Sequence, residues 1–223
     1  MITKYQRKAF SIQDCVTCFT LTFAIAATSC ATNQTEGGAF PHATRIDFEA
    51  NDGEVAIRLE PWQQSIRVSG RGGVVLAMIH SRGDHLIVAD GEGRTLWRIE
   101  PPGPAHSRFR VTSPGALRPA FEVQREPDGD LEVYDESGRR ISIAKHRSYG
   151  YKVVSGEGEE LGSIRERPGK ISIRDASGTT YLSTRGVLPV EAVAFLVIEA
   201  LPIEVAVGLS VAVAFWSPPS QVF

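Results

Sequence analysis

Between residues 45 and 184, glycine-containing turns recur every 9–11 residues, and this spacing constrains the fold more than any other feature. The segments between them are short and β-prone. Examples are RIDFEA–NDG–EVAIRLE, HLIVAD–GEG–RTLWRIE, FEVQRE–PDG–DLEVYD–ESG–RRISIA and KISIRD–ASG–TTYLST. Glycine supplies the positive φ of a tight hairpin turn, and Asp or Asn tolerates it. Leu131-Glu132-Val133-Tyr134 and Ile141-Ser142-Ile143 alternate apolar with polar residues, which puts the two kinds on opposite sheet faces. No 10–15-residue helical pattern interrupts the series, which argues against a parallel α/β sheet. Asp-x-x-Gly-x-x-Leu/Ile recurs at Asp90 and Asp135, and Asp175 begins the same pattern with Tyr181 in its last position. Residues 101–106 and 113–119 are irregular, but both are short for domain linkers. The expected fold is all-β with a terminal helix: an antiparallel, hairpin-built barrel of about twelve strands over residues 44–187.

Residues 188–216 are apolar throughout, with no basic residue and three acids, Glu191, Glu199 and Glu204. Two copies of a short pattern, Leu188-Pro189-Val190-Glu191-Ala192 and Leu201-Pro202-Ile203-Glu204-Val205, place proline at a first helical position and glutamate at the third. Proline loses no needed N–H there, and a carboxylate meets the positive end of the helix dipole. Two helices are expected, over 189–200 and 202–216, and the Val-rich second has a strand as its alternative. As a membrane span the segment would carry Glu199 and Glu204 near its middle and Pro202 across it. As a surface helix it would lack the usual basic face. A helix apolar all round is instead expected inside β structure, at the centre of the barrel.

A run of hairpins followed by a wholly apolar helix resembles the tubby-like and phospholipid-scramblase-like barrels, including the LURP-one-related proteins. The residues that carry this resemblance are Val193, Ala194, Phe195, Leu196, Val197, Ile198 and Glu199. It implies about twelve strands around a central helix built on Val193, Phe195, Leu196, Val197, Ile198 and Glu199. Scramblase-like chains carry an acidic calcium-binding run just before the helix. Residues 177–187 (SGTTYLSTRGV) lack one, so calcium activation is not implied.

The N-terminus has the layout of an export signal over residues 1–29. Lys4, Arg7 and Lys8 precede an apolar run of 15 residues, Cys15 to Ser29, short against the roughly 20 of a membrane span. Ala27-Thr28-Ser29-Cys30 resembles the lipobox of bacterial lipoproteins, with Ala27 where Leu is usual. The expectation is lipidation at Cys30, a polar tether over 30–43, and a place in a bacterial cell envelope, periplasmic or on the outer-membrane side. A secreted protein is the alternative. Residues 217–223 form a tail.

The chain has 223 residues and a net charge of −2. Loss of Lys4, Arg7, Lys8 and Asp14 with the signal leaves 21 basic and 25 acidic residues, or −4. That balance does not suit nucleic-acid binding. All three cysteines lie within the first 30 residues, so the body has no disulfide framework or thiolate metal site, and the CxxC of Cys15 and Cys18 has no second pair. No catalytic motif, metal site or cofactor site is recognisable. Gly70-Arg71-Gly72-Gly73 reads as a turn, and the RGD of residues 82–84 as another. His42, His80, His85, His106 and His146 are scattered; Asp128, Asp130 and Asp135 match a calcium loop only loosely. Arg108 with Arg110, and Arg165 with Arg167, form basic stripes that either touch an anionic ligand or pair with nearby Glu. The functional expectation is a non-enzymatic envelope lipoprotein, held to a membrane by its lipid, with a lipid or a protein partner as ligand. The competing classes are an exported or lipid-anchored hydrolase with a diffuse site, and an integral membrane protein anchored by 188–216.

Overall fold

The computed structural model describes residues 44–103, 107–186 and 188–216. The export-signal reading, Cys30, the tether, His42, His106 and the tail all lie outside these residues. The described strands are β1 (Ile46–Ala50), β2 (Val55–Trp62), β3 (Ser65–Gly70), β4 (Val75–Arg82), β5 (His85–Ala89), β6 (Thr95–Glu100) and β7 (Arg108–Thr112). They continue as β8 (Phe121–Arg125), β9 (Leu131–Asp135), β10 (Arg140–Arg147), β11 (Gly150–Ser155), β12 (Glu160–Arg167), β13 (Lys170–Asp175) and β14 (Thr180–Thr184). Each strand pairs antiparallel with its sequence neighbours, and β1 pairs with β14, so the sheet is a closed barrel. The barrel was expected; its fourteen strands exceed the expected twelve by two. The irregular stretches after β6 and β7 are hairpin connections within the same sheet.

The hairpins share one plan at a 20-residue interval. Gly53, Gly73 and Gly93, and then Gly138, Gly158 and Gly178, take positive φ in the turns at one end of the barrel, called here the upper end. Just past each of these turns the register skips one residue: Ala56, Leu76, Leu96, Ile141, Leu161 and Tyr181. Such bulges sharpen the right-handed twist and bend the strand, which a closing sheet needs. The β7–β8 hairpin interrupts the interval. The lower end carries the turns at 63–64, 83–84, 148–149 and 168–169, and the chain enters β1 there.

The segment C-terminal to β14 fills the barrel. Residues Val190–Val197 form a 3-10 segment, and α1 (Ile203–Trp216) is an α-helix. In α1 every residue from 205 to 213 is buried, so no face is left for solvent. It packs against β4, β5 and β6, while the 3-10 segment packs against β11, β12 and β13. The hydroxyl of Ser210, polar among these, donates to the Ala206 carbonyl at 2.9 Å. Gly162 permits the approach on β12: a Cβ there would stand 2.3 Å from the Arg174 carbonyl oxygen and 3.0 Å from Val197.

Two expectations about this segment need correction: the first copy of the Pro-Glu pattern forms a 3-10 segment and not the central helix, and Glu199 is not buried. The second copy is helical as expected, not a strand, and supplies the α-helix. Within the first copy, Val193, Phe195, Val197 and Ile198 are buried and Leu196 is half-buried, but Glu199 is exposed in the turn between the two segments. Burying that carboxylate without a cation would be costly. The 3-10 geometry shows in the bonds Ala192 N–H to Pro189 O (3.0 Å) and Ile198 N–H to Phe195 O (3.2 Å). No helix among the described residues is long and apolar enough to cross a membrane.

A pH-sensitive clamp sits beside the closure. Asp47 on β1 accepts from Arg45 (2.6 Å) and from Arg58 on β2 (2.8 Å). These contacts, the Arg45 hydrogen bond first, pull its carboxyl down to about 2 from an ordinary 3.8. A depressed acid stabilises the fold above its unfolded pKa and loses that contribution as pH falls through the folded one. Asp47→Asn is therefore expected to cost about 1 kcal/mol at pH 7. Urea denaturation should show that difference shrinking between pH 4 and pH 2, as the wild-type carboxyl protonates.

Candidate anion-binding face

Side chains alternate along a strand, so every second residue of a barrel strand faces outward. On β10–β13 the inward residues Ala144, Val153, Ile164 and Ile173 are all but fully buried. The outward positions are Lys145 and Arg147 on β10, Lys152 on β11, Arg165 and Arg167 on β12, and Lys170 and Arg174 on β13. Strand register sets them side by side. One row across the sheet reads Lys145, Lys152, Ser163, Arg174; the next reads Arg147, Gly150, Arg165, Ser172; a third pairs Arg167 with Lys170. Exposed Arg185, just past β14, adds another cation near the lower end. The face therefore gathers eight cations in a chain whose net charge is −2.

Most of these cations lack anionic partners. Lys152 pairs with Glu160 at 2.6 Å, and Arg165 lies over the Tyr149 ring at 5.1 Å. Arg147 donates to the His146 carbonyl at 2.5 Å. Among the described residues, Lys145, Arg147, Arg165, Arg167, Lys170, Arg174 and Arg185 form no ion pair. Like charges directly opposite one another on paired strands destabilise a sheet, and here Lys145 faces Lys152 and Arg167 faces Lys170.

The other predicted stripe is different. Arg108 and Arg110 on β7 both reach Glu122 on β8, at 3.0 and 3.6 Å. Arg108 also donates to Gln124 (2.6 Å) and lies 4.3 Å over the Tyr134 ring. Glu132 closes the group by accepting from Tyr134 and from Arg140. This part of the surface is internally neutralised. Arg108→Gln combined with Glu122→Gln leaves the net charge unchanged, and is expected to leave sedimentation with anionic vesicles unchanged. By thermal denaturation it should cost at most about 1 kcal/mol of stability.

The remaining sequence candidates are not brought together. Register pairs His80 with Ile87 and His85 with Arg82, and Asp84 of the RGD turn bonds its neighbour His85 at 2.9 Å. Gly70 N–H bonds Val74 O at 2.8 Å in a tight turn. Asp128 and Asp130 lie at the lower end of β9, and Asp135 at its upper end, where it binds the N–H groups of its own turn. An open concavity of about 520 Å³ is lined by Glu126, Pro127, Asp128, Asp130, Glu132 and Ile143. Asp130 accepts the His146 N–H there at 2.6 Å. Tyr151, whose hydroxyl donates to the Gly129 carbonyl, is pushed up to about 12, by burial first and then by Glu191. No group of three or more His, Cys, Asp or Glu among the described residues is placed to hold a metal ion.

Sequence reasoning found Arg165 and Arg167 but missed Lys145, Arg147, Lys152, Lys170, Arg174 and Arg185. Their period-two spacing (145 and 147, 165 and 167) was the available signal. Only the register shows that they form one surface.

No protein-family model matches this chain, and no curated protein matches it. Among solved structures, the chain is similar to a crystal structure of a protein from Arabidopsis thaliana. The two share 15% identity with a TM-score of 0.38, over 63% of this chain and 78% of that one.

Proposed function

We propose that this protein is a non-enzymatic barrel of a bacterial envelope, tethered by a lipid on Cys30, whose β10–β13 face binds anionic lipid headgroups. The observation that carries this reading is the set of seven cations that form no ion pair among the described residues, with Arg167 directly opposite Lys170 and Lys145 opposite Lys152, which is itself paired with Glu160. A sheet gains nothing from such pairs on its own, whereas an anionic surface repays them. Each Lys or Arg close to an anionic membrane contributes about 1 kcal/mol. The chain also enters the barrel at the lower end, where Arg147, Arg167, Lys170 and Arg185 lie. A lipid chain plus a polybasic surface is a two-signal membrane attachment, stronger than either alone.

The test uses the full chain with Cys30→Ala, so that only the face is measured. It should float with vesicles containing phosphatidylglycerol, release as salt is raised, and stay behind with purely zwitterionic vesicles. Equal behaviour with the two kinds of vesicle would sink the lipid reading. Metabolic acyl labelling of the wild type and of Cys30→Ala tests the tether separately, and absence of label from both would overturn it.

A further inference from the structure

We infer that the centre of this face is a cradle for one phosphoryl group, and that it prefers a lipid bearing a terminal phosphomonoester to one bearing only a phosphodiester. The inference rests on the lipid reading above and deepens it. Ser163 on β12 sits in register between Lys152 on β11 and Arg174 on β13, with Arg165 two residues along the same strand. Arg165 is in turn in register with Ser172. Both serines are only 9% exposed, so they form a floor beneath longer cationic side chains. Lys152 and Arg174, two strands apart, have backbones about 10 Å apart, and Lys152 also carries Glu160 at 2.6 Å.

An independent observation points to a missing acceptor. The Arg174 Nε is buried and has no hydrogen-bond partner. Among the described residues the same holds for Arg67 Nε, but that guanidinium has Glu60 at 3.9 Å and the Trp62 ring at 5.3 Å. Among the described residues Arg174 has no ion-pair partner and no aromatic ring beneath it. A buried donor almost always finds an acceptor, and a guanidinium offers a fork suited to phosphoryl oxygens. The Ser163 and Ser172 hydroxyls add neutral donors beside it. A terminal phosphomonoester presents three oxygens to this set, where a phosphodiester presents two.

The experiment compares full-length Cys30→Ala protein on vesicles containing phosphatidic acid with vesicles containing phosphatidylglycerol, matched for surface charge. The expected result is about tenfold tighter binding to phosphatidic acid. Ser163→Ala should erase most of that preference, and Arg174→Gln, which also removes a cation of the face, should weaken binding to both vesicles but cost phosphatidic acid about tenfold more than phosphatidylglycerol. Arg167→Gln, outside the cradle, should weaken both equally. Equal binding of the parent protein to both vesicles would overturn the cradle and leave the lipid reading standing, as would a preference that survives Ser163→Ala and Arg174→Gln. Binding to neither would sink the lipid reading itself. Soluble glycerol 3-phosphate should not displace the vesicle-bound protein; displacement would overturn a bilayer headgroup as the source of the phosphoryl group.

Discussion

Neutralising Arg147, Arg165, Arg167 and Lys170 together, each to Gln, is expected to cut binding to phosphatidylglycerol vesicles by roughly a thousandfold at low ionic strength. Four cations at about 1 kcal/mol each near an anionic surface give that scale. The measurement is vesicle sedimentation of the full chain in the Cys30→Ala background, where no acyl chain masks the loss. The difference should shrink as salt rises, because the screening length is about 10 Å at 0.1 M. The melting temperature should hold or rise slightly. All four residues are exposed and none has an ion-pair partner among the described residues, while Arg167 and Lys170 repel across their turn. A loss of less than about threefold would remove this face from membrane binding.

The second large effect belongs to the filling of the barrel. Phe195→Ala is expected to lower stability by about 3–5 kcal/mol, the range for a large aromatic truncated at a site that cannot collapse. Phe195 is 0% exposed in the 3-10 segment, and that segment packs on three strands and on α1. For a domain of this size the melting temperature should fall by about 10 °C, read by circular dichroism. A fall of under about 3 °C would mean that the segment is not part of the cooperative core.

The barrel was legible because turn chemistry is local. A glycine with positive φ can be read from a few residues, as at Gly138 or Gly178. The inside of the barrel was legible as composition: a segment that is apolar all round must be surrounded. Which half of it would be α-helical was not, because proline and glutamate open both copies alike. Facing direction was harder still. Taken alone, Ile141-Ser142-Ile143 suggests two isoleucines inside and a serine outside. In the fold, Ile141 is the residue skipped at a bulge. The inward positions of β10 then fall to Ser142 and Ala144, and the Ser142 hydroxyl is satisfied by the Val154 carbonyl at 2.8 Å. Ile143 faces outward beneath its neighbours at 9% exposure. One extra residue inverts the alternation. For the same reason the basic face was invisible as a surface: Lys152, Ser163 and Arg174 become neighbours only once three strands are in register.

The closed ring also dictates an order of assembly. Thirteen of its strand pairings join consecutive strands and can form locally, hairpin by hairpin. The fourteenth, Phe48 with Thr184, spans most of the described chain. The 3-10 segment and α1 come after β14 in sequence yet end up inside. A ring that sealed first would shut out its own filling. The segment that follows β14 must therefore be seated before β1 and β14 meet, and until then both remain open edges able to pair with another chain.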